Sequence, residues 1–545
     1  MAIQDALDTM QYPLVVSSTI VLGLTYVLYV VFYRLYLHPL AKYPGPFWAK
    51  ISDIPSWLYT RKQDRHIWLL KLQQQYGPVF RYRPDAVVMN TPSAYKTIFG
   101  PKGNVIKTES YYRSWPHNSK ITNIWNVTNI EAHARKRRVL NNAFSDKALR
   151  GTEEFVHSNT DRWLELIKEK SHQGPDKTWS KSLNMAEEVN YLVFDILGDL
   201  CFGKQFNMKE PESDIKHVPD LMAGFLELLA PITYSPYAGL WVWLKPRGLD
   251  WLLQYTIPES LKKWQSFVAK NLDDRTKAQE EVQKGMRPER RDFFHYLFGA
   301  KDPETGGPGY DLHELYGECE LLTIAGSDTT AIVTAAMAFY LARNPRIQEK
   351  LANEVLSAYE SASEIKGGLK LHNCKYMRAF ILEVLRMAPP VPAELAREVR
   401  PGGTTVDGQF FPPGTLLSTC LYCLNYNSDI YPEPFIFRPE RWLTKEDDPE
   451  GSSADEVALA ESGHCAFSTG TRGCIGKNLA WLEMQIVLAK MIHGFEIRPD
   501  SVDTTGAGSP SLGEGRENVE QYQLYDAFVA MRKGPMVQFK ERARA

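Results

Sequence analysis

The longest uninterrupted apolar segment of the chain lies at its N-terminus. Residues 9–33 carry no charge, and residues 13–33 are long enough as a helix to cross a bilayer core of about 30 Å. No Lys or Arg precedes the segment and no small-residue cleavage site follows it, which disfavours a signal peptide. A buried core helix is the other alternative. Because Arg34, His38 and Lys42 follow the segment, the pattern predicts a luminal N-terminus at 1–12, a transmembrane anchor at 13–33 and a cytoplasmic remainder.

The rest of the chain shows mostly helical periodicity. Pro44-Gly45-Pro46 cannot continue a helix, so residues 34–50 are predicted as a proline-rich hinge before a globular domain at 51–545. Short β-like patterns occur at 79–88 and 403–411, and residues 285–310 and 446–463 are predicted as loops. The fold class predicted is therefore mainly α with a minor β component.

Composition narrows the classes of function. Lys and Arg number 63 against 65 Asp and Glu, a formal net charge of -2, so nothing in the overall charge favours a nucleic-acid partner. Seven scattered cysteines do not form a disulfide framework and are interpreted as reduced thiols. Cys420 and Cys423 have Cys-x-x-Cys spacing, but no second pair completes a zinc site.

The segment 467–476, Phe-Ser-Thr-Gly-Thr-Arg-Gly-Cys-Ile-Gly, is a tight loop followed by a helical pattern. The pattern predicts a helix that begins at Cys474, where exposed N–H groups and the helix dipole favour thiolate. Gly476 leaves space for a flat group to approach, and Arg472 suits a carboxylate partner. A buried structural cysteine is the alternative for Cys474 taken alone.

This pattern, Phe-x-x-Gly-x-Arg-x-Cys-x-Gly, resembles that of the cytochrome P-450 haem-thiolate monooxygenases, most of all the membrane-bound fungal members. The resemblance implies the cytochrome P-450 fold preceded by one transmembrane helix. It also implies haem b as cofactor, with Cys474 as the axial ligand of the iron and with Phe467, Arg472, Gly476 and Ala325 in contact with the haem.

Glu383 and Arg386 are three residues apart on a predicted helix that ends before Pro389-Pro390. A solvated surface pair is the simple alternative, but apolar residues surround both positions, which favours burial. In the family that the chain resembles, a later Pro-Glu-Arg segment supplies a third member. Arg441 is the matching residue here, so we expect a Glu383–Arg386–Arg441 network that holds the cysteine loop.

A long helix is predicted from the Asp311 and Glu314 capping box to Asn344. It contains Ala325-Gly-Ser-Asp328-Thr329, whose threonine can hydrogen-bond back to the Ala325 carbonyl and open the helix. Small residues packed against a neighbouring helix are the alternative. The resemblance places Thr329 and Asp328 in proton delivery for oxygen activation.

The segment 133–138, His-Ala-Arg-Lys-Arg-Arg, matches a family segment that contacts the haem propionates. Arg137 corresponds directly, whereas His133 stands where the family has tryptophan. Arg397 matches another propionate-binding position. Lys136 and Arg138 are expected to face outward toward an acidic redox partner. The resemblance also places Ile324, Ala325, Thr329, the turn 391–395 and residues 115–125 around the substrate pocket, and it makes the aromatic region 234–255 a possible membrane contact.

The function implied is insertion of one oxygen atom from O2 into a lipophilic small molecule, in secondary-metabolite biosynthesis, at the endoplasmic reticulum membrane. No dinucleotide-binding or flavin-type segment occurs, so the electrons would come from a separate NADPH-cytochrome P-450 reductase, with cytochrome b5 as a second donor. A non-redox haem-thiolate isomerase or dehydratase, or a haem-dependent binding protein, is the alternative; the Asp328-Thr329 pair argues against it.

Overall fold

The computed structural model describes residues 2–115, 121–171, 173–174, 178–302 and 304–543. Helices dominate this part of the chain, with small sheets, which confirms the predicted fold class. In chain order the α-helices are α1 Ala2–Phe32, α2 Phe47–Ile51, α3 Ile54–Arg61, α4 Arg65–Tyr76, α5 Pro92–Phe99, α6 Glu109–Tyr112, α7 Ile130–Leu140, α8 Asp146–Lys170, α9 Met185–Leu197, α10 Val218–Thr233, α11 Ala238–Leu244, α12 Leu249–Thr256, α13 Glu259–Gln283, α14 Phe293–Phe298, α15 Leu312–Arg343, α16 Pro345–Ala358, α17 Leu369–His372, α18 Lys375–Met387, α19 Leu421–Asn425, α20 Ala454–Gly463 and α21 Lys477–Gly494.

Within the described residues, the strands form one mixed sheet and three smaller ones. They are β1 Val79–Arg83, β2 Ala86–Met89, β3 Val105–Lys107, β4 Leu183–Asn184, β5 Arg397–Val399, β6 Thr404–Val406, β7 Gln409–Phe411, β8 Leu416–Ser418, β9 Phe495–Pro499, β10 Leu524–Ala527, β11 Val529–Arg532 and β12 Met536–Glu541. The five-stranded sheet has the order β1-β2-β8-β5-β3, in which only β2 and β8 pair in parallel. It brings Lys107 on β3 and Arg397 on β5 into direct register.

Helix α1 and a short π-helical turn, Tyr33–Leu37, form the N-terminal segment. Val15–Leu37 is a candidate membrane span with none of its apolar window buried against the protein. Helix α15 also has the length and composition of a span, but most of it is buried in the protein. It is therefore the core helix, and α1 is the candidate anchor.

The segment after the anchor packs against β1. Gly45 has a φ of +155°, and a Cβ there would lie 2.0 Å from the Arg81 carbonyl oxygen, so glycine is required for this approach. Arg81 donates from its backbone N–H to the Pro44 carbonyl at 2.7 Å and from its guanidinium to the Arg34 carbonyl at 2.7 Å. The predicted hinge region is thus held to the sheet by hydrogen bonds.

The two predicted loops each contain a helix. Within 285–310, Asp292 is the N-cap of α14, and its side chain accepts a hydrogen bond from the backbone N–H of His295. Phe293, Phe294 and Leu297 of this helix are buried. Within 446–463, α20 begins with a capping box at Ser453. The capping residues in these two segments indicate helices, whereas their charged, glycine-containing composition led to the prediction of loops.

Candidate active site

The cysteine loop is built by backbone contacts. Cys474 donates its backbone N–H to the Phe467 carbonyl at 2.8 Å, and residues 470–472 form a 3₁₀ turn between them. Gly470 has a φ of +69°, and a Cβ there would lie 2.3 Å from the Phe99 carbonyl oxygen. Helix α21 begins at Lys477 with Gly476 as its N-cap, so the thiol lies two residues before the cap rather than at the predicted helix start.

The thiol of Cys474 faces an interior cavity. Burial raises its pKa above the ordinary value, while the backbone N–H groups of Gly476 and Lys477 and the charge of Arg137 lower it. The N–H groups at the helix terminus favour the thiolate, as predicted, but burial of the thiol in the haem-free protein outweighs them. A cation bound at the sulfur would lower the pKa of Cys474 further.

Helix α15 forms the opposite side of this cavity. Ala325 and Thr329 line it, and the Thr329 hydroxyl donates to the Ala325 carbonyl at 2.7 Å. Gly326 serves the packing of helices, since a Cβ there would lie 2.9 Å from Leu197 of α9. The small-residue alternative thus holds for Gly326, and the predicted back-bond is present at Thr329.

The cavity between these elements has a volume of about 380 Å³ and a mainly apolar lining. Ile324, Val391 and Leu395 line it as predicted. Glu394, from the same predicted turn, instead lines a second cavity. Trp115 and Trp125 form an aromatic wall, with ring centroids 5.0 Å apart. Residues 116–120 of the predicted pocket segment 115–125 lie outside the described residues.

Four of the predicted cofactor-binding residues converge on one end of the cavity. Arg472 donates to the carbonyls of Val127 and Thr128 at 2.7 and 3.1 Å, and Arg137 donates to the Gly473 carbonyl at 2.7 Å. Arg397 donates to the Tyr112 hydroxyl at 2.9 Å. His133, Arg137 and Arg472 line the cavity, and the charges of Arg472 and Arg397 act on each other.

Lys107 joins this group, although it is not among the predicted site residues. Its ammonium donates to the Trp125 carbonyl and lies 4.2 Å from the centre of the Tyr112 ring. Burial and the charges of Arg397 and Arg472 hold the pKa of Lys107 well below its usual range. The only signal was its alternation within a three-residue strand, Val105–Lys107, which is too short to reveal which face is buried.

These five residues, His133, Arg137, Arg397, Arg472 and Lys107, are called the cation cluster here. None of them forms an ion pair with an Asp or Glu in the described part of the chain. The pKa of His133 is lowered to about 3 by burial and by the charges of Arg472, Lys107 and Arg137. The pKa of Arg472 is lowered to about 10 by burial and by the charge of Arg397. The guanidinium charges of Arg137, Arg397 and Arg472 therefore stay uncompensated, and buried charge of this kind calls for an anionic partner.

Comparison with known proteins identifies the family. The cytochrome P450 family model matches residues 44–508. The chain is 32% identical over 530 residues to the cytochrome P450 monooxygenase fscF of Fusarium equiseti, covering 95% of both chains. It is 31% identical to the cytochrome P450 monooxygenase AKT7 of Alternaria alternata, covering 96% of this chain and 97% of the relative. A third relative, apf7 of Gibberella fujikuroi, is 33% identical over 94% of this chain and 95% of its own length.

This chain belongs to the cytochrome P450 family. It is accordingly an oxidoreductase of the monooxygenase class, and the family implies a haem cofactor, a redox partner and a lipophilic substrate. The predicted resemblance to fungal cytochrome P450 monooxygenases is confirmed.

In this P450, the structure brings Glu383, Arg386 and Arg441 together. Glu383 accepts from Arg386 at 2.8 Å and from Arg441 at 3.0 Å, with all three side chains buried. The indole N–H of Trp442 donates to the second carboxylate oxygen at 2.9 Å. Burial alone would raise the pKa of Glu383, but the two arginines outweigh it and lower the pKa to about 2.

Asp328 is paired with a residue that is distant in the sequence. It is 4% exposed and forms an ion pair with Arg532 of β11 at 2.7 Å, so it does not reach solvent directly. Arg532 also donates to the side chain of Asn190 on α9. Because 204 positions separate Asp328 and Arg532 in the chain, local sequence patterns do not predict this ion pair.

The two cations expected to face a redox partner also differ from the prediction in part. Lys136 is buried, and its ammonium lies 2.8 Å from the Glu314 carboxylate and 3.2 Å from the Thr122 carbonyl oxygen. It therefore stabilises the loop that contains Thr122 and does not face solvent. Arg138 is half exposed and pairs with Glu304 at 2.5 Å. The alternation of a basic run does not tell which of its members turns inward.

Proposed function

We propose that this P450 is a haem b-dependent monooxygenase that inserts one oxygen atom from O2 into a lipophilic small molecule of secondary metabolism. One observation carries the proposal: a single apolar cavity has Cys474 on one side and the Ala325–Thr329 segment of α15 on the other. The biosynthetic role follows the resemblance to fungal members of the family.

The residues present fit a haem. The cation cluster lacks carboxylate partners, which suits the two propionates of the cofactor. A Cβ at Gly476 would meet no atom closer than 3.9 Å, so the space beside the thiol is free of protein atoms. Cys474 would hold the iron, and Phe467, Gly476 and Ala325 would contact the ring. When bound, the haem supplies the activation of oxygen and the transfer of one oxygen atom to the substrate.

The polar residues of α15 would handle protons. The Thr329 hydroxyl, held by the Ala325 carbonyl, can keep a water molecule in an otherwise apolar cavity. Asp328 lies one residue earlier and has one carboxylate oxygen without a hydrogen-bond partner among the described residues. Its pairing with Arg532 means that any exchange of protons with solvent requires this ion pair to rearrange.

Electrons would come from an NADPH-cytochrome P-450 reductase, with cytochrome b5 as a second donor. The support is the family itself, whose members need a redox partner, and the lack of any dinucleotide-binding or flavin-type segment in the sequence. We place the docking surface on the cysteine side, where Arg138 is half exposed.

The proposed location is the endoplasmic reticulum membrane, with one span and the catalytic domain in the cytoplasm. The apolar surface of α1 and the basic residues after it support this orientation. A second apolar surface, with Trp243 54% and Trp251 64% exposed on α11 and α12, supports a membrane contact for the predicted 234–255 region. Deletion of residues 1–33 should release the protein or leave weak peripheral binding.

The deciding experiment is turnover under labelled oxygen. The full chain is expressed in microsomes with a reductase, given candidate lipophilic substrates under ¹⁸O2, and the products are analysed by mass spectrometry. We expect one labelled atom per product, and none with Cys474→Ala. Conversion of substrate without NADPH and O2 would instead establish the non-redox isomerase or dehydratase alternative.

A further inference from the structure

Glu320 is a buried acid in the wall of the apolar cavity. It lies on α15 four residues before Ile324, and both residues line the cavity because positions four apart share one face of a helix. Glu320 is only 8% exposed. The proposed oxygen activation uses the Ala325–Thr329 segment of the same helix and gives Glu320 no role.

The carboxyl of Glu320 has more hydrogen-bonding capacity than the protein uses. The indole of Trp264 on α13 approaches this carboxyl and acts to lower its pKa. The contact is not a full hydrogen bond, because the indole N–H and Glu320 Oε1 both lack a partner within the described ranges. Even a complete bond from Trp264 would leave most of the acceptor capacity unused. Buried polar groups are nearly always paired, so this carboxyl calls for a partner inside the cavity.

Glu320 stands apart from the other polar side chains of the lining. Asn123 and Asn126 are satisfied within their own loop, where the carbonyl oxygen of each side chain accepts from backbone N–H groups at 2.9–3.1 Å. Glu483, a second carboxyl of the lining, lies on α21 and is paired with Thr330, next to the segment assigned to oxygen activation. Glu320 is ten residues before Thr330, which is about 15 Å along the helix axis. It therefore lies in the part of the cavity that is left to a substrate.

The surroundings of Glu320 favour the uncharged form of its carboxyl. Burial raises its pKa to about 7, and no charge of a described base acts to lower it. A carboxylate without a cation is costly in an apolar cavity. A protonated carboxyl has one O–H donor and keeps acceptor capacity. Its complement is an uncharged group that also donates and accepts, and the simplest such group on a lipophilic molecule is a hydroxyl.

We propose that Glu320 binds a hydroxyl group of the substrate and so decides which substrate carbon lies beside the Ala325–Thr329 segment. Glu320 precedes Ala325 by five residues and Thr329 by nine, which places the two sites about 8–14 Å apart along the helix axis. The substrate class is then a lipophilic alcohol that is oxidised at this distance from its hydroxyl. The position of oxidation rests on the proposed monooxygenase function, whereas the hydroxyl contact does not.

The first test compares two isomers, dodecan-1-ol and 1-methoxyundecane, by isothermal titration calorimetry with the haem-loaded full chain. The alcohol can donate a hydrogen bond and the ether cannot, so we expect the wild type to bind the alcohol about tenfold more tightly. Glu320→Leu should abolish this preference, whereas Glu320→Gln, which keeps a donor and an acceptor, should retain it. Thr323→Val is the matched control, because Thr323 is buried on α15, donates to the Cys319 carbonyl and lies outside the lining.

A second test measures the distance. In a series of 1-(ω-hydroxyalkyl)imidazoles of increasing chain length, the imidazole nitrogen binds the iron and the hydroxyl reaches for Glu320. Affinity should peak at one chain length in the wild type and in Thr323→Val, and should rise steadily with length in Glu320→Leu. A steady rise in all three proteins would overturn the proposed control of position.

Two calorimetric outcomes overturn the hydroxyl contact. Equal affinity of the wild type for the alcohol and the ether, or a preference that persists in Glu320→Leu, would make Glu320 a site for water only. Tighter binding of dodecylamine than of dodecan-1-ol, lost in Glu320→Gln, would show an ionised carboxylate that selects a cation. Calorimetry needs no turnover, and the carbon-monoxide difference spectrum of the same samples reports on the haem-thiolate centre, so a failure of the proposed function is recognised separately.

Discussion

Two groups of buried charges in this P450 have opposite arrangements. In the Glu383–Arg386–Arg441 network every charge has a partner of opposite sign, and backbone carbonyls take the remaining guanidinium N–H groups. In the cation cluster, positive groups gather without any acid among the described residues, and they donate only to carbonyls and a hydroxyl. A satisfied group of buried charges needs nothing further, whereas an unsatisfied one indicates a ligand.

Substitutions in the network should affect the stability of the protein, whereas substitutions in the cation cluster should affect the binding of a ligand. Removing one member of a satisfied network leaves the others buried and unpaired, so folding suffers. Removing one member of the cation cluster relieves repulsion in the free protein and weakens only the bound state. Substitutions in the two regions should therefore affect different measurements.

The largest effect is expected in the network. Glu383→Ala leaves two buried arginines unpaired and should cost about 3–5 kcal/mol of unfolding free energy. Urea denaturation and the yield of soluble protein measure this loss. Arg397→Leu, in the cation cluster, is the control and should fold normally. Normal folding of Glu383→Ala with an altered turnover rate would move this residue from structure to catalysis.

Cys474→Ala should abolish one spectral signal and leave the fold unchanged. The thiol is the proposed iron ligand and takes part in neither group of charges, so the red-shifted Soret band of the reduced, carbon-monoxide-bound protein should disappear. Cys465→Ala is the matched control, since Cys465 is buried nine residues earlier and outside the loop. A normal band in Cys474→Ala would eliminate the ligand assignment.

Thr329→Ala tests the α15 side of the cavity. Proton delivery by a placed side chain typically contributes about 10²–10⁴-fold, so product formed per NADPH should fall and peroxide should rise, while haem still binds. Thr334→Ala is the control, because Thr334 makes the same back-bond, to the Thr330 carbonyl at 2.9 Å, but is buried outside the cavity. Equal coupling in both variants would make Thr329 a packing residue.

The double substitution Lys107→Met and Arg397→Leu sharpens the comparison directly. We expect haem affinity to fall at least about tenfold, because two charge-assisted contacts to propionates are lost. The unfolding free energy of the haem-free protein should stay the same or rise. Haemin titration and urea denaturation give the two values, and a stability loss as large as that of Glu383→Ala would show that the cluster is structural.

Acid should affect the cation cluster before the network. The folded pKa of His133 is about 3, below its ordinary 6.5, so the unfolded state binds more protons and stability falls as the pH drops from 6.5 toward 3. The folded pKa of Glu383 is about 2, so its stabilisation is complete above 4.5 and is lost only below that. His133→Gln should therefore flatten the fall in Tm of the haem-free protein between pH 6.5 and 4.5; parallel curves would contradict this.

The sequence predicted features that depend on local spacing. The boundaries of α15 follow from its capping box at Asp311 and from Asn344, and both are where the pattern placed them. The end of α18 before Pro389-Pro390 is of the same kind. Helices α14 and α20 were not predicted, although their capping residues are present in the sequence. The loop prediction rested on the charged and glycine-containing composition of those segments.

What the sequence determined by itself is the family motif around Cys474, the length of the N-terminal apolar helix and the position of the long central helix, because each depends on residues near one another in the chain. Tertiary structure alone decided that Lys107 joins Arg397 and Arg472 and that Asp328 pairs with Arg532. It also decided that Lys136 points inward and that Glu394 lines the second cavity. These contacts join segments up to several hundred residues apart, and they exist only once sheet register and helix packing bring those segments together.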